Sequence, residues 1–185
     1  MTEASPRQRD GVDEIIGQWA QVRPELDVSA MEVFSRLHRC FLLYRAWIGD
    51  RFAQLGTNEP GFDVLAALRR AGADQRLTAG ELARRTLVTT GGLTLRVKRL
   101  EAEGLVRRER DAGDNRMVYV ELTEAGRDLI DRVADVHFSS MLRMLDGLAP
   151  EEQRDLARLL ARLYESQAAA LPDVDLVAVQ SASNT

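Results

Sequence analysis

Lysine is almost missing from this chain of 185 residues: of 25 basic residues, all but Lys98 are arginine. That skew fits codon composition and is given no functional weight. A single cysteine, Cys40, excludes an internal disulfide framework. Apolar stretches such as Val64 to Leu68 run only a few residues, far short of the ~20 that a membrane helix requires. The opening MTEASPRQRDG lacks the apolar core of a secretory signal, so a soluble, cytoplasmic protein with no membrane partner is expected. HExxH, CxxC, GxSxG and phosphate-loop patterns are all missing, and Gly91-Gly92 lacks the spacing of a dinucleotide fingerprint. Catalytic residues, bound metal and cofactors are accordingly not expected. His38 and Cys40 lie two positions apart on one helical stretch and point to different faces. Packing in a core or interface, with a buried and unreactive thiol, is the expectation for Cys40 and for the two histidines, His38 and His137.

What is present is an ordinary globular composition, 45% hydrophobic and 29% charged, with a net charge of −4. The charge is unevenly placed. Between Arg84 and Arg116 stand nine basic residues (Arg84, Arg85, Arg96, Lys98, Arg99, Arg107, Arg108, Arg110, Arg116) against five acidic ones (Glu101, Glu103, Glu109, Asp111, Asp114), so this segment carries +4 and the remainder −8. A cationic island in an acidic chain is what one phosphate-binding surface on an otherwise soluble protein requires.

No linker, repeat or low-complexity tract interrupts the sequence, which reads as one domain over 1–185, with polar, frayed ends before residue 12 and after Leu171. A short helix is expected from Val12 to Val22. A longer one follows, opened by a Ser29/Glu32 capping box and continuing to about Leu55. Phe34, Leu37, Phe41, Ile48, Phe52 and Leu55 form one apolar stripe on it, and Val33, Cys40, Tyr44 and Trp47 a second. A helix apolar on two faces needs cover on both, and in so small a chain a partner subunit is the natural second cover. Pro60 starts a helix that Gly72 ends, and Thr78 with Glu81 caps a short helix to about Thr86. Thr89 or Thr90 caps the next, which stops at Gly104. The period then changes to two over 105–110 and 117–122, a β-hairpin around a turn-rich tip. Thr123 caps a helix to about Leu145, and Pro150 opens a last one ending near Ala170. The fold class is mainly α with a small β-hairpin: a winged helix-turn-helix over 60–122, with helical regions at 12–55 and 123–171.

The cationic residues fall on the second helix of the helix-turn-helix and on the hairpin. With Leu93, Val97 and Leu100 buried, Leu95 lies nearly opposite, with Gly91, Gly92, Thr94, Lys98 and Arg99 beside it. Small residues permit close backbone approach to a duplex, polar and cationic groups reach bases and phosphates, and an apolar group suits a thymine methyl. The candidate DNA-binding set is therefore Thr89, Thr90, Gly91, Gly92, Thr94, Leu95, Lys98, Arg99, Arg110, Asp114 and Arg116. Arg116 at the hairpin tip is placed to enter a minor groove, with Asp114 holding its side chain.

The stretch from ELARRTLVTTGG through GLVRRERDAGDNR to LTEAG resembles the DNA-binding lobe of the MarR family of winged-helix transcription regulators. That resemblance implies a homodimer joined through its terminal helices, bound to a pseudo-palindromic double-stranded operator and usually acting as a repressor. The segment DEIIGQWAQVRPELDVSAMEVFSRLHR is similar to the urate-responsive branch. This similarity implies a site for urate, a related purine or another small anionic ligand, served by Trp19, by Asp63 from GFDVL and by Arg96 from TLRVKRLE. Arg96 also stands out on the helical wheel, at the margin of the buried stripe, where a half-buried guanidinium needs an anionic partner. Two alternatives compete: a redox switch through Cys40, and a winged-helix interaction module that does not bind DNA.

Overall fold

The computed structural model describes residues 8–72, 76–86, 90–111, 117–172 and 174, with backbone alone at 90 and 91. Their order is α1 (Gly11–Val22), α2 (Met31–Gln54), α3 (Glu59–Arg69), β1 (Arg76–Thr78), α4 (Ala79–Arg85), α5 (Thr90–Ala102), β2 (Val106–Arg110), β3 (Val118–Leu122), α6 (Glu124–Met144) and α7 (Pro150–Ala170). None of these helices is long and apolar enough to cross a membrane, among the described residues. Two compact units divide between Asp50 and Arg51, within α2.

In the first unit, Asp10 and Gly11 correct the expectation of a frayed start. Asp10 is the N-cap of α1: its carboxylate accepts the Val12 N–H at 2.8 Å, while Asp13 accepts the Asp10 N–H at 2.8 Å. Such a reciprocal box satisfies donors that a helix start leaves open. Arg36 on α2 then donates to both carboxylates at 2.8 Å and holds the Asp10 carboxyl below its usual range. The Ser29/Glu32 box also requires correction. Helix α2 begins at Met31, and its approach is held by the Asp27 carboxylate accepting the Ser29 N–H at 2.9 Å.

The second unit is built around α3, whose Val64, Leu65, Ala67 and Leu68 are almost fully buried. Asn58 caps α3 by accepting the Gly61 N–H at 2.8 Å, with Pro60 in the first turn as expected. α3 packs on α4, α5, α6 and β3. Strands β2 and β3 pair antiparallel from Val106↔Leu122 to Arg110↔Val118. A third strand, β1, pairs with the other edge of β3 through Leu77↔Val120, which extends the expected hairpin to a sheet of order β1-β3-β2. Thr123 caps α6 by accepting the Gly126 N–H at 3.0 Å and donates its hydroxyl to the Gly104 carbonyl at 2.7 Å. The chain after α5 turns at Gly104, whose φ of +72° suits glycine.

Large apolar side chains remain uncovered in each unit. Val33, Phe34, Phe41 and Leu42 on α2 are exposed, as are Phe138 and Leu142 on α6 and Leu159 and Tyr164 on α7. No residue of the 21-residue α7 is buried. Cys40 and His38 are exposed in the single chain, which excludes the core of the two expected settings, core or interface, and corrects the expectation of a thiol buried within the chain. The reason is that α2 carries more apolar face than one chain covers. His137, by contrast, is buried as expected.

Candidate functional site

Helix α4 is fixed at its start by the expected capping box. The Thr78 hydroxyl accepts the Glu81 N–H at 3.2 Å and the Glu81 carboxylate accepts the Thr78 N–H at 2.9 Å. Leu82 anchors it in the core, and the Thr86 hydroxyl closes it by donating to the Leu82 carbonyl at 2.8 Å. Helix α5 then packs on α3, α4 and β2 through Leu93, Val97 and Leu100, all buried. Thr94, Leu95, Lys98 and Arg99 are exposed on the opposite side, as expected, with Leu95 at 71% of its full exposure.

The neighbouring strand β2 adds Arg107, Arg108 and Arg110, all exposed. Several cations are held by carboxylates: Arg99 to Glu103 at 2.9 Å, Arg108 to Glu101 at 2.9 Å, and Arg107 to Glu121. Exposed pairs of this kind are worth only ~0–1 kcal/mol, so a phosphate can take the place of a carboxylate at little cost. Beyond Arg110 the Asp111 N–H donates to the Met117 carbonyl at 3.0 Å and closes the strand pair. Thr89, Asp114 and Arg116 lie outside the described residues, and of Thr90 and Gly91 only the backbone is described. Arg84 and Arg85, exposed at the C-terminal end of α4, belong to the same cationic lobe and were absent from the expected set. Their signal was available in the charge run beginning at Arg84.

Arg96 behaves differently from its neighbours. It is half-buried, about 100° around the helix from Leu95, in the electrostatic range of Asp63 and Glu59 on α3. Burial works against its charge and outweighs the opposing pull of the two carboxylates, so its pKa is lowered. Asp63 is half-buried too, and its carboxyl is pushed up, first by burial and then by Glu59 one helical turn away, with Arg96 and Arg70 pulling it down. Among the described residues, Asp63 and Arg96 feel each other through space without closing an ion pair within 4.0 Å. Two anionic and two cationic groups therefore meet here, of which only Asp63 and Arg96 were expected. The i, i+4 spacing of Glu59 and Asp63 was the sequence signal for the third. Trp19 lies on α1 in the first unit, 41% exposed.

Gly126 joins the lobe to α6. A Cβ at this glycine would stand 2.0 Å from the Leu105 carbonyl oxygen, so only glycine lets α6 start against the wing strand.

The MarR family model matches residues 55–117, the stretch that holds α3, β1, α4, α5 and β2. Over 152 residues the chain is 35% identical to the HTH-type transcriptional regulator PecS of Dickeya dadantii, covering 82% of this chain and 92% of PecS. The chain belongs to the MarR family. Among solved structures, AbsC, a MarR family transcriptional regulator from Streptomyces coelicolor, superposes with a TM-score of 0.69 at 25% identity, over 78% of this chain and 97% of AbsC. Sco3205 from the same organism, a MarR family regulator solved in complex with DNA, gives 0.68 at 26% identity, over 77% of this chain and 93% of Sco3205. This MarR-family chain is thus a DNA-binding transcription regulator with a winged helix-turn-helix, not an enzyme. A winged-helix module that avoids DNA is set aside.

Proposed function

We propose that this regulator works as a homodimer that represses from a pseudo-palindromic operator and is released by a small anionic metabolite, urate or a related purine. The observation that carries this reading is the placement of Arg96. It shares α5 with the exposed Leu95 and Lys98 yet turns a half-buried guanidinium toward the carboxylates of Asp63 and Glu59 on α3. An anion competing for Arg96 and repelling Asp63 changes how α5 is held against α3. A shift on the order of an ångström in each subunit alters the spacing that must match ~34–36 Å of duplex. A coupling of about 1–3 kcal/mol is enough to release DNA.

The dimer is supported by α7, which buries none of its 21 residues in the single chain, and by exposed apolar residues on α2 and α6. Such faces mark interaction surfaces. The similarity of the N-terminal segment to the urate-responsive branch supports the ligand class and gives Trp19 a part in the response. The exposed Cys40 keeps a second reading in play, release by oxidation, which DNA release by peroxide that survives in Cys40→Ser would exclude.

The test is fluorescence anisotropy of a labelled duplex from the DNA flanking this protein's gene, titrated with the full chain at two salt concentrations, with and without urate. Binding that weakens steeply with salt and is reversed by urate supports the proposal. Salt-sensitive binding that ignores urate keeps the regulator and removes urate as its signal, and Trp19→Phe in the same titration tests the part given to the tryptophan.

A further inference from the structure

Helix α5 presents its three buried apolar side chains, Leu93, Val97 and Leu100, along one stripe. At 100° per residue, Leu95 lies about 180° from the middle of that stripe, pointing straight out of the lobe. Arg99 falls about 40° to one side of it and Lys98 about 60° to the other. Both flanking cations are exposed, and Leu95 retains 71% of its full exposure. From α3 through β2, no other large apolar side chain is exposed among the described residues. The uncovered apolar residues of α2, α6 and α7 occur in groups; Leu95 stands alone among charges.

Long side chains on a helix lean toward its N-terminus. Leu95 leans over the first turn of α5, where the sequence places Gly91 and Gly92 and hence no side chains to keep a duplex away. The two cations are spaced to meet phosphates on either side of a groove while the group between them meets its floor. Leucine has no donor or acceptor. In the major groove the only apolar group offered by a base edge is the C5-methyl of thymine. Resting on the DNA-binding reading above, we propose that Leu95 is a specificity-determining residue that reads a pyrimidine C5-methyl, one in each half-site. The methyl itself is what is recognised, so 5-methylcytosine satisfies Leu95 as thymine does.

The experiment uses the full-length protein and a duplex that it enriches from a random pool. Each symmetric pair of thymines is replaced in turn by deoxyuridine, which removes the methyl and leaves every hydrogen-bonding group. Affinity is measured for wild type, Leu95→Ala and Leu95→Met. One pair is expected to weaken wild-type binding by roughly fourfold per methyl, about fifteenfold for the pair, the scale of burying one methyl group. Leu95→Ala loses that dependence at this pair alone, and Leu95→Met keeps most of it. Cytosine at the same pair is expected to weaken binding, and 5-methylcytosine to restore about the methyl's share. Deoxyuridine that is neutral at every pair, or a penalty unchanged in Leu95→Ala, overturns the proposal while leaving DNA binding intact. Failure of wild type to enrich any duplex overturns the DNA-binding reading and this proposal with it.

Discussion

Gly126→Ala and Gly17→Ala should move stability in opposite directions, although both replace a glycine inside a helix by the best helix former. On propensity alone each gains up to ~1 kcal/mol. Around Gly17 on α1 nothing lies within 4 Å of where a Cβ would be, so that gain should be realised. At Gly126 the Cβ would meet the Leu105 carbonyl oxygen at 2.0 Å, more than 1 Å short of the ~3.3 Å at which C···O contacts begin. The obstacle is backbone, part of the wing strand's approach, and the Leu105 carbonyl also accepts the Thr123 N–H at 3.1 Å. Relieving the clash means lifting α6 from the sheet, at about 1–3 kcal/mol or more, which outweighs the propensity gain. With a backbone obstacle placing the cost at the upper end of that range, the net loss is about 2 kcal/mol; at roughly 2–4 °C per kcal/mol for a chain of this size, Gly126→Ala should lower Tm by about 4–8 °C, whereas Gly17→Ala should raise it by a few degrees. Thermal unfolding followed by circular dichroism at one chain concentration reads both. A Gly126→Ala Tm equal to or above wild type would refute the close-approach argument.

Three further outcomes are expected. Buried His137 packs against Phe52, Phe62 and Phe138, its Nδ1 has no hydrogen-bond partner among the described residues, and burial lowers its pKa against a weaker opposing pull from Glu59. Below its ordinary value of 6.5 the unfolded chain takes up a proton that the folded chain resists, so stability falls as pH drops through that value and is unaffected well above it; His137→Phe should flatten this acid limb in a Tm series from about pH 8 to 5 and leave Tm at pH 8 no lower. Lys98→Ala and Arg110→Ala should each weaken operator binding across sequences and reduce the slope of log K against log salt by about 1; anisotropy at several salt concentrations checks this, and unchanged slopes would take both residues out of the interface. Asp63→Asn should tighten urate binding several-fold by isothermal calorimetry, since it removes a carboxylate that repels the anion, and weaker binding would reverse the role assigned to Asp63.

Much of the fold was legible because its punctuation is chemical. The Thr78/Glu81 box, Pro60, Thr123 and Pro150 each fix a boundary through a local hydrogen bond or a backbone restriction, and these boundaries stand within a residue or two of expectation. Strand β1 was not legible, since Arg76–Thr78 is three residues long and becomes a strand only by pairing with β3. The start of α2 misled because Ser29 uses its N–H in a turn with Asp27 in place of capping a helix. At the proposed ligand site Arg96 was visible from periodicity, but the environment of Asp63 depends on which face of α3 meets α5. Glu59 was within reach of the i, i+4 rule on α3, whereas the pull of Arg70 and Arg96 on Asp63 emerged only from the packing. Gly126 was visible as part of LTEAG, yet its necessity lies in a contact with Leu105, 21 positions earlier in the chain. Exposure of Cys40 in the single chain agrees with the two apolar stripes of α2, of which one chain was expected to cover only one.

The most direct test of the account is urate-driven release of operator DNA by wild type and by Arg96→Ala, measured by anisotropy in parallel with calorimetric binding of urate to each. The account predicts that wild type binds urate and lets go of DNA, while Arg96→Ala, still folded and still bound to the duplex, neither takes up the anion at comparable concentration nor releases DNA. Arg96→Ala that binds urate as tightly as wild type and releases DNA as readily would contradict it.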